Sequence, residues 1–225
     1  PDSIVGGLSV YDCRKNFGRE LAQEAYVNAD LVIPVPDSGV PSAIGYAEAS
    51  KIPFELGIIR NHYVGRTFIE PQQSIRAMGV KLKHNANRLL VDGKKVVLID
   101  DSLVRGTTSV KIVQMMRDAG AKEVHMRIAA PPITHPDYYG IDTPIKDHLL
   151  AANNKLTEMC KSIGADSLNF LSINGLYKAM GHKEGRNDES PEYTDHCFTG
   201  DYPTPLRDQE DNNHIRQLSL LAESD

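Results

Sequence analysis

Apolar and polar positions fall into blocks that alternate along the chain. Residues 14–26 (RKNFGRELAQEAY) space Phe17, Leu21 and Ala25 four apart, a helical period. Residues 30–35 (DLVIPV) are a short apolar run of the kind a buried strand needs, and PDSGVP after it reads as a turn. The pattern then predicts a helix over 42–50, a strand over 53–59 and a long polar stretch over 60–95. Residues 96–99 (VVLI) form the next strand. A helix follows over 109–120, with Val110, Val113 and Met116 on one face and Gly120 as its stop. Residues 123–130 (EVHMRIAA) read as another strand. Beyond Ala130 the signal weakens, with helices expected at 144–152, 155–163 and 173–180. From Gly181 the composition turns polar (RNDESPEYTD), so the expected division is a folded part over 1–182 and a loosely packed polar tail over 183–225. Strand, turn and helix in alternation predict an α/β fold: a central parallel sheet flanked by helices.

A chain of 225 residues suffices for one such domain with a sizeable core and a small additional lobe. The formal net charge is −5, so the chain as a whole is no general polyanion binder, nucleic acid is not an expected partner, and any phosphate site must be local. Cys13, Cys160 and Cys197 are widely spaced and form no CxxC pair, which fits a reducing cytoplasm better than a disulfide framework or zinc site. No apolar run reaches membrane-spanning length, so no membrane association is expected. Pro1 is an unusual first residue and suggests a processed or truncated product.

The candidate chemistry lies in VVLIDDSLVRGTTS, residues 96–109. An apolar strand runs straight into Asp100 and Asp101, and Gly106, Thr107, Thr108 and Ser109 open the next helix. In open parallel sheets ligands sit outside the carboxyl ends of strands. A helix start offers unpaired N–H donors to a phosphate, Gly106 lets it approach, and the hydroxyls can donate to it. Two carboxylates beside a phosphate would repel it. They suit the vicinal hydroxyls of an attached sugar, or a hydrated Mg²⁺. The spacing thus describes a sugar phosphate. An acidic pair after a strand could also be only a turn and a helix cap. A P-loop needs GxxxxGK[ST] and a dinucleotide fold needs GxGxxG after a strand; neither occurs. A phospho-receiver domain would carry its acidic pair after the first strand, not in mid-chain.

The stretch resembles the phosphoribosyl-pyrophosphate signature of the type I phosphoribosyltransferases: hydrophobic run, acidic pair, then Gly-Thr-Thr. More of the chain narrows the resemblance to the amidophosphoribosyltransferases, which catalyse the first committed step of purine synthesis. The segments that carry it are LVIPVPDSGVPSAIGYAEASKIPFELGIIRNHYVGRTFIEPQQ, DSLVRGTTS, AAPPITHPDYYGIDTP and IGADSLNFLSINGL, which reach about Leu176.

The resemblance implies a type I phosphoribosyltransferase fold and a reaction in which ammonia displaces pyrophosphate from C1 of 5-phosphoribosyl 1-pyrophosphate. In that family a separate glutaminase domain supplies the ammonia; the chain here is expected to correspond to the phosphoribosyltransferase half, with Pro1-Asp2-Ser3 at the junction. By resemblance Asp37, Ser38 and Gly39 meet the pyrophosphate, although PDSG alone could be an ordinary β-turn. Ser38, Asp100 and Asp101 bind Mg²⁺, and Arg105, Gly106, Thr107, Thr108 and Ser109 cradle the 5-phosphate. The polar stretch matches a flexible loop over about 60–88 that closes over the substrate, with Arg60, Tyr63 and Arg66 as catalytic residues. His62 stands where the family commonly has Arg, which weakens one pyrophosphate contact at neutral pH. Arg76, Lys81, Lys83 and Arg88 are equally consistent with a solvated surface. Some relatives hold an iron–sulfur cluster through four cysteines. Asp137 and Thr194 occupy two of those positions and only Cys197 remains, so no iron–sulfur cluster is expected. Further implied partners are purine nucleotides as feedback inhibitors and other copies of the chain in a homo-oligomer. The alternative reading is a non-catalytic phosphoribosyltransferase-like module that senses nucleotide or sugar phosphate. Such modules usually add a basic DNA-binding domain, of which the sequence gives no sign.

Overall fold

The computed structural model describes residues 2–61, 84–143 and 145–206. A small antiparallel pair, β1 (Ile4–Val5) and β2 (Leu8–Ser9), leads into helix α1 (Val10–Glu24). The Ser9 hydroxyl caps this helix by accepting from the Asp12 N–H at 3.2 Å. Strand β3 (Leu31–Pro34), helix α2 (Val40–Ser50), β4 (Ile58–Arg60) and β5 (His84–Ala86) follow. A single helical turn α3 (Arg88–Val91) precedes β6 (Lys95–Asp100), α4 (Thr107–Asp118) and β7 (Glu123–Ile128). The chain continues through a 3₁₀ turn (Lys146–His148), α5 (Leu150–Asn153), α6 (Leu156–Ile163), β8 (Ser167–Phe170), α7 (Ile173–Ala179) and α8 (His196–Thr199).

The main sheet is parallel, in the order β3-β6-β7-β8. Both faces are covered. In β6, Val96 and Leu98 pack with Ile112, Val113 and Met116 of α4 and Met159 and Ile163 of α6, while Val97 and Ile99 pack with Leu21 of α1 and Ala43 and Tyr46 of α2. That two-sided burial is why the strand reads as a continuous apolar run. Helices α1 and α2 approach closely because Gly18 and Gly45 lack side chains: a Cβ on either would collide with the backbone carbonyl of Ser42 or Lys15.

Several expectations change in detail. The strand expected over 53–59 is split. Phe54 makes one parallel bridge to Val32 at the outer edge of β3, and β4 turns away to pair antiparallel with β5. After β3 the chain thus moves to one side for Phe54 and returns to the other for β6, which makes the gap between β3 and β6 a topological switch point. The expected helix at 144–152 is only a 3₁₀ turn and one α-turn. Strand β8 has no counterpart in the sequence reading. Residues 183–206, expected to be loosely packed, are tied down by polar contacts. The side chain of Arg186, 7 % exposed, bonds Asp195 Oδ2, Asp188 Oδ1 and Asp201 Oδ2, each at 2.7 Å. Tyr177 Oη also donates to Asp195 Oδ2, at 2.7 Å. No helix among the described residues is long and apolar enough to cross a membrane.

Candidate functional site

Two loops leave the sheet side by side, because β3 and β6 are parallel neighbours with Pro34 opposite Ile99. The first is the turn 36–39, carrying Asp37, Ser38 and Gly39. Its packing explains the glycine. An added Cβ on Gly39 would lie 2.4 Å from the Ile99 carbonyl oxygen and 2.8 Å from that of Val35. The turn is thereby pressed onto the end of β6, next to Asp100. Asp37 is exposed and Ser38 half-buried. Asp37 Oδ2 forms an ion pair with Nη1 of Arg60, the last residue of β4.

The second loop begins at the acidic pair, whose members differ. Asp100 ends β6 and is 8 % exposed; its Oδ1 accepts the Asp101 N–H at 2.9 Å. Burial, and then the neighbouring Asp101 charge, push its carboxyl up to about 8. Asp101 lies beyond the strand, half-buried, and accepts from the Ser102 hydroxyl at 3.1 Å. The loop is pinned at its centre by the Leu150 N–H, which donates to the Val104 carbonyl at 2.9 Å. No sequence signal marks that anchor.

Gly106 closes the loop with φ +77°, a left-handed conformation that disfavours any side chain, and a Cβ there would sit 2.9 Å from Leu150 Cδ2. Helix α4 starts directly after it, without a side-chain cap. The first N–H groups of such a helix are free to receive an anion. Arg105 and Thr107 are exposed, Thr108 half-buried and Ser109 buried. The turn after β3 and the loop after β6 are thus brought together. Arg60 joins them through Asp37. Tyr63 and Arg66, with His62 and most of the 60–88 stretch, lie outside the described residues. The pairing of Arg60 with His84 joins the two described ends of that stretch.

A second cluster lies elsewhere. His196 Nε2 is 2.7 Å from Asp137 Oδ2, and Cys197 shares the group, with potential ligand atoms of all three within 4.8 Å of one another. Asp137 Oδ1 also accepts the N–H groups of Tyr139 and Ile141, both at 2.8 Å. Of the three positions that the sequence compared with cysteine ligands of relatives, Asp137 and Cys197 come together here, around a carboxylate–imidazole pair. The sequence reading did not notice His196.

A family model described as phosphoribosyl transferase domain matches residues 9–138, which span both loops. The chain belongs to this family. Within it, the chain is 64 % identical to the amidophosphoribosyltransferase of Rhizobium etli over 99 % of its own length and 45 % of that protein's. It is 55 % identical to amidophosphoribosyltransferase 1, chloroplastic, of Arabidopsis thaliana, over 90 % of this chain and 35 % of that one. The solved Bacillus subtilis glutamine phosphoribosylpyrophosphate amidotransferase, complexed with ADP and GMP, superposes with a TM-score of 0.81 at 53 % identity, covering 92 % of this chain and 45 % of that one. This phosphoribosyl transferase chain spans less than half the length of these relatives. The parallel sheet flanked by helices agrees with that family's fold, as the sequence pattern predicted.

Proposed function

We propose that the chain is the phosphoribosyltransferase half of an amidophosphoribosyltransferase, in which ammonia displaces pyrophosphate from C1 of 5-phosphoribosyl 1-pyrophosphate to give 5-phosphoribosylamine. The observation that carries this reading is the adjacency of the Asp100–Asp101 pair to the uncapped start of α4 behind Gly106. The 5-phosphate binds at the helix start, through N–H groups from Arg105 to Ser109 and their hydroxyls. The ribose hydroxyls then fall to the two aspartates. Substitution at a sugar carbon passes through an oxocarbenium-like transition state. Pyrophosphate leaves with growing negative charge, which Arg60 can stabilise from the end of β4.

The donor set fits Mg²⁺. Asp100 and Asp101 offer hard oxygen ligands, and the upward shift of Asp100, caused partly by its like-charged neighbour, is the frustration a cation relieves. Ser38 completes the proposed set. Mg²⁺, when bound, neutralises charge on the diphosphate; the protein groups orient the sugar and exclude water. Tyr63 and Arg66 are proposed to act from the loop that closes over the site.

The test is pyrophosphate release on mixing the chain with 5-phosphoribosyl 1-pyrophosphate, Mg²⁺ and ammonium chloride at pH 7 and pH 9. Turnover should rise with pH as ammonium deprotonates. Binding of the sugar substrate without turnover at either pH would favour the sensing module instead. The B. subtilis relative was solved with ADP and GMP. Purine nucleotides carry the same ribose-phosphate, so GMP or AMP should compete with the sugar substrate here; a titration in which neither changes its affinity removes that idea. The proposal extends to a glutaminase domain as the source of ammonia, and to assembly with further copies. A cytoplasmic location suits the bacterial relatives, whereas the plant relative is chloroplastic.

A further inference from the structure

We infer that the Asp37 carboxylate is not a ligand of the substrate but the internal counter-ion of Arg60, a positioning group that holds the guanidinium at the mouth of the site and yields it to the diphosphate. The inference rests on the reaction proposed above. A carboxylate has no proton to give a diphosphate at neutral pH, and its charge repels one. Any contribution of the Asp37 side chain to binding a diphosphate must therefore pass through a cation. Arg60 is the cation to which it is paired: Arg60 Nη1 meets Asp37 Oδ2, joining the end of β4 to the turn after β3. The pair is unequal in its surroundings, with side-chain exposures of 28 % for Arg60 and 55 % for Asp37. Arg60 Nε is buried without a hydrogen-bond partner. The guanidinium is thus held in place while part of its donor set remains unspent.

An exposed ion pair is weak. A diphosphate offers more charge and a bidentate fit to a guanidinium, so it can displace the carboxylate. The turn that carries Asp37 is fixed against β6 through Gly39, so the released carboxylate stays near the site. It can take Arg60 back when pyrophosphate leaves. In this scheme Asp37 weakens diphosphate binding slightly and aids its release.

The scheme predicts a gain of affinity on losing a charge, conditional on Arg60. Inorganic pyrophosphate is titrated calorimetrically, in EDTA, into the wild-type chain, Asp37→Asn, Arg60→Gln and the double variant. Asp37→Asn should bind about two- to fivefold tighter, the scale of an exposed ion pair. Arg60→Gln should bind more weakly, and Asp37→Asn should then add nothing. A turn-forming role for Asp37 would give no gain, and a general effect of removing negative charge would give the same gain in both backgrounds. Either result overturns the inference while leaving the proposed reaction intact. Absence of pyrophosphate binding by the wild-type chain, together with absence of turnover, overturns both.

Discussion

Replacing Asp100 by Asn should stabilise the empty protein at alkaline pH and impair it as an enzyme. The Asp100 carboxyl is raised from 3.8 to about 8 by burial and by the Asp101 charge. In the unfolded chain it loses its proton near 4. Between these values the folded state holds more protons than the unfolded state, so folding stability falls as pH rises from about 4 to about 8 and levels off above. A shift of roughly 4 units (8 − 3.8) at about 1.4 kcal/mol each sets an upper limit of about 6 kcal/mol. Relaxation and water entry reduce the penalty, so a gain of roughly 1–3 kcal/mol is expected for the neutral isostere. At about 2–4 °C per kcal/mol, that raises Tm by about 2–12 °C. Differential scanning calorimetry, without substrate or Mg²⁺, should show this gain at pH 8.5 and almost none at pH 4. A gap of equal size at both pH values, or an Asn variant less stable at pH 8.5, would refute the reasoning. The same shift predicts that binding of the sugar substrate with Mg²⁺ releases about one proton per site near pH 7, measurable by calorimetry in buffers of different ionisation enthalpy.

Asp101→Asn should leave Tm nearly unchanged but lower ammonia-dependent turnover about ten- to a hundredfold, the loss of a charged hydrogen-bond partner; wild-type turnover would remove Asp101 from the sugar and metal site. Gly106→Ala should cost about 1 kcal/mol or more of stability, because φ is +77° and the new methyl meets Leu150, and should raise the KM for the sugar substrate; calorimetry and initial rates check the two effects. Asp195→Ala should destabilise by roughly 1–3 kcal/mol, since Arg186 Nε and Tyr177 Oη would lose their acceptor while Asp188 and Asp201 still face the guanidinium. Burial pushes the Asp195 carboxyl up, but Arg186, Tyr177 and Thr199 outweigh burial and hold it below the ordinary value. Its contribution is therefore present above pH 4 and lost as pH falls further, so the wild-type and Asp195→Ala unfolding curves should converge in acid.

The elements legible in the sequence are those whose burial is two-sided or periodic. Strand β6 shows as VVLI because Val96 and Leu98 meet one helix layer while Val97 and Ile99 meet the other. Strand β8 was missed because its polar residues are spent internally: the Ser167 hydroxyl accepts from Arg127 Nη1 at 3.0 Å and lies 2.9 Å from His125 Nδ1. Arg127 is 2 % exposed and also donates to the Ala25 carbonyl, 102 residues away, a contact no local pattern encodes. The polar segment after Gly181 misled for the same reason. Its charges read as solvated, yet Arg186 collects three of its acidic neighbours, and Tyr202 Oη donates to the Pro136 carbonyl at 2.8 Å. Polar composition signals exposure only where the partners are water.

The acidic pair itself was legible as a pair but not as two different groups. The period of a strand would have separated them. Asp100 is the last residue of β6, in step with Val96 and Leu98, and so falls on the face covered by α4. Asp101 is the first residue past the strand and stands in the bend. The resulting asymmetry keeps the empty site from holding two full negative charges side by side, because desolvation leaves Asp100 protonated up to about pH 8. Under the proposed function, a sugar hydroxyl or a cation arriving at the strand mouth would supply what desolvation removed and favour ionisation. Loss of that proton would then tie binding of the proposed ligand to pH, at the residue where the strand ends beside the helix start.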